Sequence, residues 1–217
     1  MNITASSLPL LVQCPGPAHP KTWMEKDKPG PAANFGNCIH TLAECHIKGK
    51  PIPVPEAMRI NEVDASELSR VELTWRELQA WLDDIGVTVG QVSLSDRSEI
   101  PVAANVVTGE AKRLDIDGKR QYGIDLPWIA GTADIVMVAN GVAHVWDIKT
   151  GSTRSDSYAE QLRFLGGAVM ASMKLTKAIV YVAKVNQVEV DVDWYEEITP
   201  ESWHETLARL RAVRFGS

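Results

Sequence analysis

The chain has 217 residues, 45% of them hydrophobic and 23% charged, which suits one globular α/β domain with short appendages and excludes general disorder. Lysine and arginine number 22 against 28 aspartates and glutamates, giving a formal charge of −6 and a pI near 5.4. A protein that coats nucleic acid by bulk charge has the opposite balance, so any such contact here is local. The sequence has no apolar run of roughly 18 residues or more, and its N-terminus lacks the basic flank and long apolar stretch of a secretory signal. Cys14, Cys38 and Cys45 form no CxxC pair and leave an odd thiol in any disulfide scheme. The expectation is a soluble, cytoplasmic chain with no membrane contact, with reduced thiols and without a closed zinc site.

Residues 1–33 are rich in turns and read as an irregular arm, densest in proline and glycine from Cys14 to Pro31. From Asn34 to about Ile47 the spacing of Ile39, Leu42, Ala43 and His46 is helical, and Gly49 with Pro51, Pro53 and Pro55 ends that helix in a rigid extended connector. Asp64 or Ser66 caps a second helix, whose Leu68, Val71, Trp75, Leu78 and Leu82 keep a 3.6-residue stripe to Gly86. Three strands follow, near Ile100–Val107, Gly131–Ala139 and Val142–Lys149, with a polar, hairpin-like excursion from Thr108 to Asp125 between the first two. A helix from about Ser157 to Met173, with Asp156 as its cap, presents Gly166, Gly167, Ala168 and Ala171 as a flat side for close packing. A strand at Ala178–Val185, a short one at Glu189–Trp194, and a helix opening at Thr199-Pro200 with Trp203, Leu207 and Leu210 inward complete the chain.

The informative segment is GTADIVMVANGVAHVWDIKTG, residues 131–151. Asn140-Gly141 between two apolar runs is a strong hairpin signal, because a type I′ turn needs positive φ at both central positions. The two-residue loop sets the register: Ala139 faces Val142, Val136 faces Val145, and Asp134 faces Asp147. Directly opposed side chains have Cβ atoms roughly 4.5–5.5 Å apart, and like charges so placed are destabilising. Their neighbours on both faces are apolar, among them Ile135, Val136, Met137, Val145, Trp146 and Ile148, so the pair is expected in a largely buried hairpin. Lys149 returns to the face of Asp147. Two readings follow: a buried ion-pair cluster that fixes register, or a pair of oxygen donors for a hard divalent cation. A one-residue bulge would turn one aspartate to the other face.

Asp134, then Asp147-Ile148-Lys149, then Gln161 on the next helix resemble the core of the PD-(D/E)xK nuclease superfamily in its RecB-like form, a group that includes lambda-type phage exonucleases. The Gly-x-x-Asp of residues 131–134 and the Asp-x-Lys-Thr-Gly of residues 147–151 carry the likeness. It spans about residues 34–185, leaving 186–217 as a C-terminal strand and helix of a single nuclease domain, 1–217. The resemblance implies an α/β restriction-endonuclease-like fold, α-β-β-β-α-β, with a mixed central sheet flanked by helices. It implies a Mg²⁺- or Mn²⁺-dependent deoxyribonuclease, an exonuclease of recombination or repair in a bacterial cell or phage-infected host. Asp134, Asp147 and the backbone carbonyl of Ile148 would hold the metal, Lys149 would orient or activate the attacking water, and Gln161 would contact the site.

His40, in Gly36-Asn-Cys-Ile-His40, is similar to the histidine that RecB-like members place on the first helix as a further ligand; the other reading is a partly buried histidine. Glu44, one turn later on the same face, and Glu99, at the head of the first strand, are further candidates, each also readable as a solvated acid. The tyrosine usual in the family one turn after Gln161 is replaced by Leu165, and Tyr158 offers an alternative hydroxyl or a core aromatic. With three cysteines, all before residue 46, no iron-sulfur cluster is expected, and the cysteines read as small buried hydrophobes or helix residues.

DNA binding by a chain of this charge requires a segregated basic surface. Lys112, Arg113, Lys119 and Arg120 in the excursion and Arg154 after the Asp-x-Lys motif are the candidates, with Arg209, Arg211 and Arg214 in the last helix and Trp23 and Trp128 as weaker ones. The resemblance leaves open a recombinase or single-strand annealing protein as partner, and a homo-oligomer. A structure-specific or nicking endonuclease and a non-catalytic DNA-binding module are the alternatives to the exonuclease.

Overall fold

The computed structural model describes residues 4–8, 29–88, 98–115, 127–151 and 158–212. Helix α1 runs Pro31–Ile47, with proline in its first turn, where the missing N–H costs nothing. It stops at Gly49, whose φ of 67° provides a left-handed exit. The expected extended connector is instead a short helix, α2, Val54–Ile60. Prolines 53 and 55 start that helix, since proline disfavours a helix interior but fits its first turn. Asp64 caps a 3₁₀ turn, Ala65–Glu67, by accepting from Ser66 N at 2.8 Å, and α3 follows over Leu68–Thr88. Its Val71, Leu78 and Leu82 are fully buried, as the stripe requires.

The strands are β1 Ser98–Asn105, β2 Ala111–Arg113, β3 Trp128–Ala139, β4 Val142–Lys149, β5 Lys177–Val185 and β6 Val190–Ile198. Helix α4, Ala159–Ser172, joins β4 to β5, and α5, Pro200–Ala212, ends the described chain. β1 ends where the Asn105 side chain accepts from the backbone of Val107 and Thr108, turning the chain into β2. The start of the predicted excursion therefore joins the sheet as β2; its remainder, with Lys119 and Arg120, lies outside the described residues, as do Cys14, Trp23, Arg154, Asp156 and Arg214. β6 is longer than its polar sequence suggests, because Glu196 and Glu197 are held by Arg163 and Lys177.

The sheet order is β2-β1-β3-β4-β5-β6, with β4 and β5 parallel and all other pairs antiparallel. This is the expected mixed sheet flanked by helices, and it contains the α-β-β-β-α-β order. One face packs on α4, α5 and the N-terminal Ala5 and Leu8; the other packs on α1, α2 and α3. Cys38 is buried in the second core, where burial pushes its thiol up to about 11. Among the described residues no helix is long and apolar enough to cross a membrane.

The flat side predicted for α4 is a contact surface. A Cβ on Gly167 would sit 2.1 Å from Trp203 Cε3, and one on Gly166 would sit 2.4 Å from Val180 Cγ1. Gly167→Ala is therefore expected to overpack the α4–α5 seam, at a cost of about 1–3 kcal/mol. Thermal denaturation should show Tm lower by several degrees.

Candidate metal centre

The Asn140-Gly141 turn has φ of 49° and 78°, and β3 and β4 pair in the expected register from Ala139↔Val142 through Val136↔Val145 to Ile135↔Trp146. Expected next is Asp134 opposite Asp147, but the regular ladder stops one pair short. In its place Asp134 Oδ2 accepts the N–H of Ile148 at 2.8 Å, a side chain inserted where a strand carbonyl would pair. Ala133 and Val136 both belong to the core facing α4, so the period-two alternation of β3 slips at residues 134–135. The two carboxylates are neighbours at the open end of the hairpin without being a regular cross-strand pair.

The same level of the sheet is irregular in β1. The pairs Ser98↔Ile135 and Ile100↔Ala133 flank Glu99, placing it opposite Asp134, and Glu99 has φ of 52°. A non-glycine residue held in that region costs roughly 1–3 kcal/mol. Two strands thus break their pattern side by side, and the break turns the Glu99 carboxylate toward Asp134.

Helix α1 supplies the third donor. A Cβ on Gly36 would lie 3.1 Å from Thr150 Oγ1, so glycine lets α1 approach the end of β4 closely. One turn later, His40 Nδ1 stands 3.5 Å from Asp134 Oδ1. His40, Glu99 and Asp134 each offer one ligand atom, all within 4.8 Å of one another. Donors bound to one ion at about 2.1 Å lie no more than about 4.2 Å apart, so the set closes on a cation with at most a shift of about half an ångström. One imidazole and two carboxylates suit a divalent ion of the Mn²⁺ type.

Beside this trio is an ion pair. Lys149 Nζ lies 2.7 Å from Asp147 Oδ2 and 4.5 Å above the Tyr158 ring, a placement that holds the ammonium against an aromatic face. Burial raises the Asp147 pKa to about 6; Lys149 opposes that rise and the Asp134 charge adds to it. Burial pulls the Lys149 pKa down, but Asp147 and Asp134 outweigh it and hold the lysine above its ordinary value. Lys149 is therefore a fixed positive charge near neutral pH.

The other predicted residues are dispersed. Glu44 pairs with Lys48 on the surface of α1 and stands outside the trio. Gln161 is half-buried in the first turn of α4, three residues after Tyr158. Lys112 and Arg113 form the outer part of β2, with Lys112 Nζ 4.3 Å above the Trp128 ring. Arg209 turns to Glu160 and Thr206, and Arg211 to the carbonyl of Leu207. Sequence reasoning missed Ser98, Thr150 and Lys48, and no spacing rule singles them out. The left-handed backbone at Glu99 was equally invisible, since glutamate does not favour it.

Residues 2–186 match the model of a family described as "Protein of unknown function (DUF2800)". No curated protein matches the chain. Among solved structures, one described as a "Putative exonuclease" from Eubacterium rectale aligns with a TM-score of 0.49 at 11% identity, over 88% of this chain and 69% of that one. Another, SSO0001, aligns with a TM-score of 0.31 at 13% identity, over 94% of this chain and 83% of that one. Likeness at this level carries no argument about chemistry, which rests on the geometry above.

Two outcomes follow from that geometry. Glu99→Gly removes a donor and relieves the strained φ, so the metal-free protein should gain about 1 kcal/mol while Mn²⁺ affinity falls about tenfold or more. Glu99→Gln should lose affinity without the gain, and thermal melts with and without Mn²⁺ read both. The second concerns pH. Asp147 has a folded pKa above its unfolded one, so the metal-free fold loses stability from this group as pH rises from about 4 to about 6. A cation competes with that proton, so the rise in Tm caused by saturating Mn²⁺ should be larger at pH 7.5 than at pH 5, and equal shifts would contradict it.

Proposed function

The chain belongs to the DUF2800 family, whose description gives no function, and from the geometry of its sheet-end cluster we propose that it is a metal-dependent deoxyribonuclease. The observation that carries this reading is the convergence of His40, Glu99 and Asp134 beside the Asp147–Lys149 pair. A purely structural ion-pair cluster has no use for a third acid and a histidine drawn in at the cost of backbone strain. His40, Glu99 and Asp134 would hold a Mg²⁺ or Mn²⁺ ion, with Asp147 and the carbonyl of Ile148 completing its surroundings. Such a cation supplies Lewis-acid polarisation of a phosphate oxygen.

The reaction is hydrolysis of a phosphodiester. A bond forms from a water oxygen to phosphorus, the bond to one sugar oxygen breaks, and that oxygen takes up a proton. Lys149, kept charged by its two acidic neighbours and steadied by Tyr158, stabilises negative charge developing on the phosphate and orients the attacking water. Asp134 fixes the backbone at Ile148 through its hydrogen bond, so the Ile148 carbonyl has a set direction. Gln161, on the first turn of α4, is assigned a substrate contact. Exonuclease action in recombination or repair is the form we favour.

Linear and covalently closed circular DNA, incubated with Mn²⁺, test the proposal. Nucleotide release from linear DNA with circles left intact is the expected result. Nicking of closed circles would replace the exonuclease by an endonuclease. Absence of cleavage with Mn²⁺ bound would leave a non-catalytic module. Lys149→Ala should lower the cleavage rate by about 10²–10³ and leave the Mn²⁺-induced rise in Tm in place; turnover at the parent rate would remove the role given to the lysine.

A further inference from the structure

Glu99 has a second neighbourhood. Besides facing His40 and Asp134, it lines a cleft of about 640 Å³ whose other walls are Lys48, Ser98, Pro101, Arg113, Leu114 and Asp115. Lys48 stands just past the C-terminal end of α1, roughly 12 Å along the helix from His40, and Arg113 ends β2. Two cations distant in sequence are thus brought to one cleft by the pairing of β1 with β2 and the packing of α1 on the sheet. Lys48 also reaches back to Glu44 in an exposed i,i+4 pair, an interaction weak enough for a phosphate to displace.

Ser98 is a separate sign of a ligand. It is 5% exposed, it lines the cleft, and its buried hydroxyl has no hydrogen-bond partner among the described residues. The hydroxyl oxygen is enclosed, so a ligand oxygen in the cleft meets it once the wall gives slightly, which relieves the cost of burying it unmet. The volume lies within the roughly 300–1,000 Å³ of sites that take small organic molecules. That is room for one or two nucleotides of a strand whose bases are free to enter, whereas a double helix keeps its bases stacked inside and would only span the mouth. Pro101 and Leu114 provide apolar wall against which a base can lie.

We infer that this cleft takes the backbone of a single DNA strand leading to the ligand cluster, with Lys48 and Arg113 as phosphate contacts and the Ser98 hydroxyl donating to a phosphate or sugar oxygen. The inference rests on the nuclease reading and specifies the form of its substrate. The side chains of the cleft balance in charge, Lys48 and Arg113 against Glu99 and Asp115. Strand binding is therefore favoured when a divalent cation offsets Glu99, which separates this cleft from a plain basic patch.

Fluorescence anisotropy tests it, with a labelled single-stranded 12-mer and a blunt 12-base-pair duplex in Mn²⁺, in a Lys149→Ala background that suppresses turnover. Adding Lys48→Ala and Arg113→Ala should weaken single-strand binding roughly ten- to a hundredfold. It should also reduce the slope of log affinity against log salt by about 1.4, or about 0.7 for each lost contact. Duplex binding should change little, the Mn²⁺-induced rise in Tm should persist, and Lys48→Arg with Arg113→Lys should restore the slope. Unchanged affinity and slope, with the parent protein still cleaving DNA, would overturn the inference and leave the nuclease reading standing. Equal losses on strand and duplex would overturn the single-strand assignment, and an RNA strand bound more tightly than DNA would overturn the choice of nucleic acid. Failure of the parent protein to cleave any DNA while binding Mn²⁺ would instead overturn the nuclease reading.

Discussion

The arrangement depends on carboxylates buried at the open end of one β-hairpin. Asp147 is 3% exposed and Asp134 8% exposed, and each has a compensating partner: Lys149 for the first, the Ile148 N–H and His40 for the second. The compensation is incomplete, since Asp147 still prefers its proton up to about pH 6. A fold built for stability alone would do better with apolar residues at these positions. The apolar cores packed on both sheet faces hold the strands that carry these acids.

The irregularities have one cause and one consequence. In β3 the alternation slips at Asp134; in β1 the left-handed residue is Glu99, at the same level. Neither strand could deform alone without losing its pairing to the other, so the two deviations accommodate each other and the ladder resumes on both sides of them. The consequence is convergence. Regular strands would send Glu99 and Asp134 along the directions of their neighbours, whereas the paired break brings them within reach of His40. Gly36 completes the geometry from the helical side, since a Cβ there would stand 3.1 Å from Thr150 Oγ1 and fit only if that side chain gave by a few tenths of an ångström.

Much of this was readable from local rules. Asn140-Gly141 gave the turn and hence the register, because two positive φ angles admit few other residues. The glycines of α4 pointed to close packing, and the stripe of α3 to a buried face. The regular register also put Asp134 directly across from Asp147, and there the local rule ended: the ladder gives way where the Asp134 side chain takes the Ile148 N–H. Pro53 and Pro55 read as an extended connector, whereas a helix starts at them because the apolar Ala57 and Met58 are buried against α1 and α3. The sequence suggests a strand ending at Trp194, since Glu196 and Glu197 look solvent-bound until α4 and β5 bring Arg163 and Lys177 beside them. Ser98 and Lys48 have roles that exist only after β1 and α1 meet, so no window of sequence contains them.

The sheet order also bears on how an acidic chain could take the anionic substrate proposed for it. Lys112 and Arg113 belong to β2 at one edge, whereas Asp191, Asp193, Glu196 and Glu197 belong to β6 at the other. Three of those acids are already engaged by Lys184, Arg163 and Lys177. Five strand spacings separate the edges, roughly 24 Å at about 4.8 Å each, well beyond a Debye length of about 8 Å at physiological salt. A phosphate at the β1–β2 side therefore meets a local balance of Lys48 and Arg113 against Glu99 and Asp115, with Lys112 nearby on β2, and is screened from the acids of β6. Net charge is a sum over the whole surface, whereas strand order sets where an anion is tolerated.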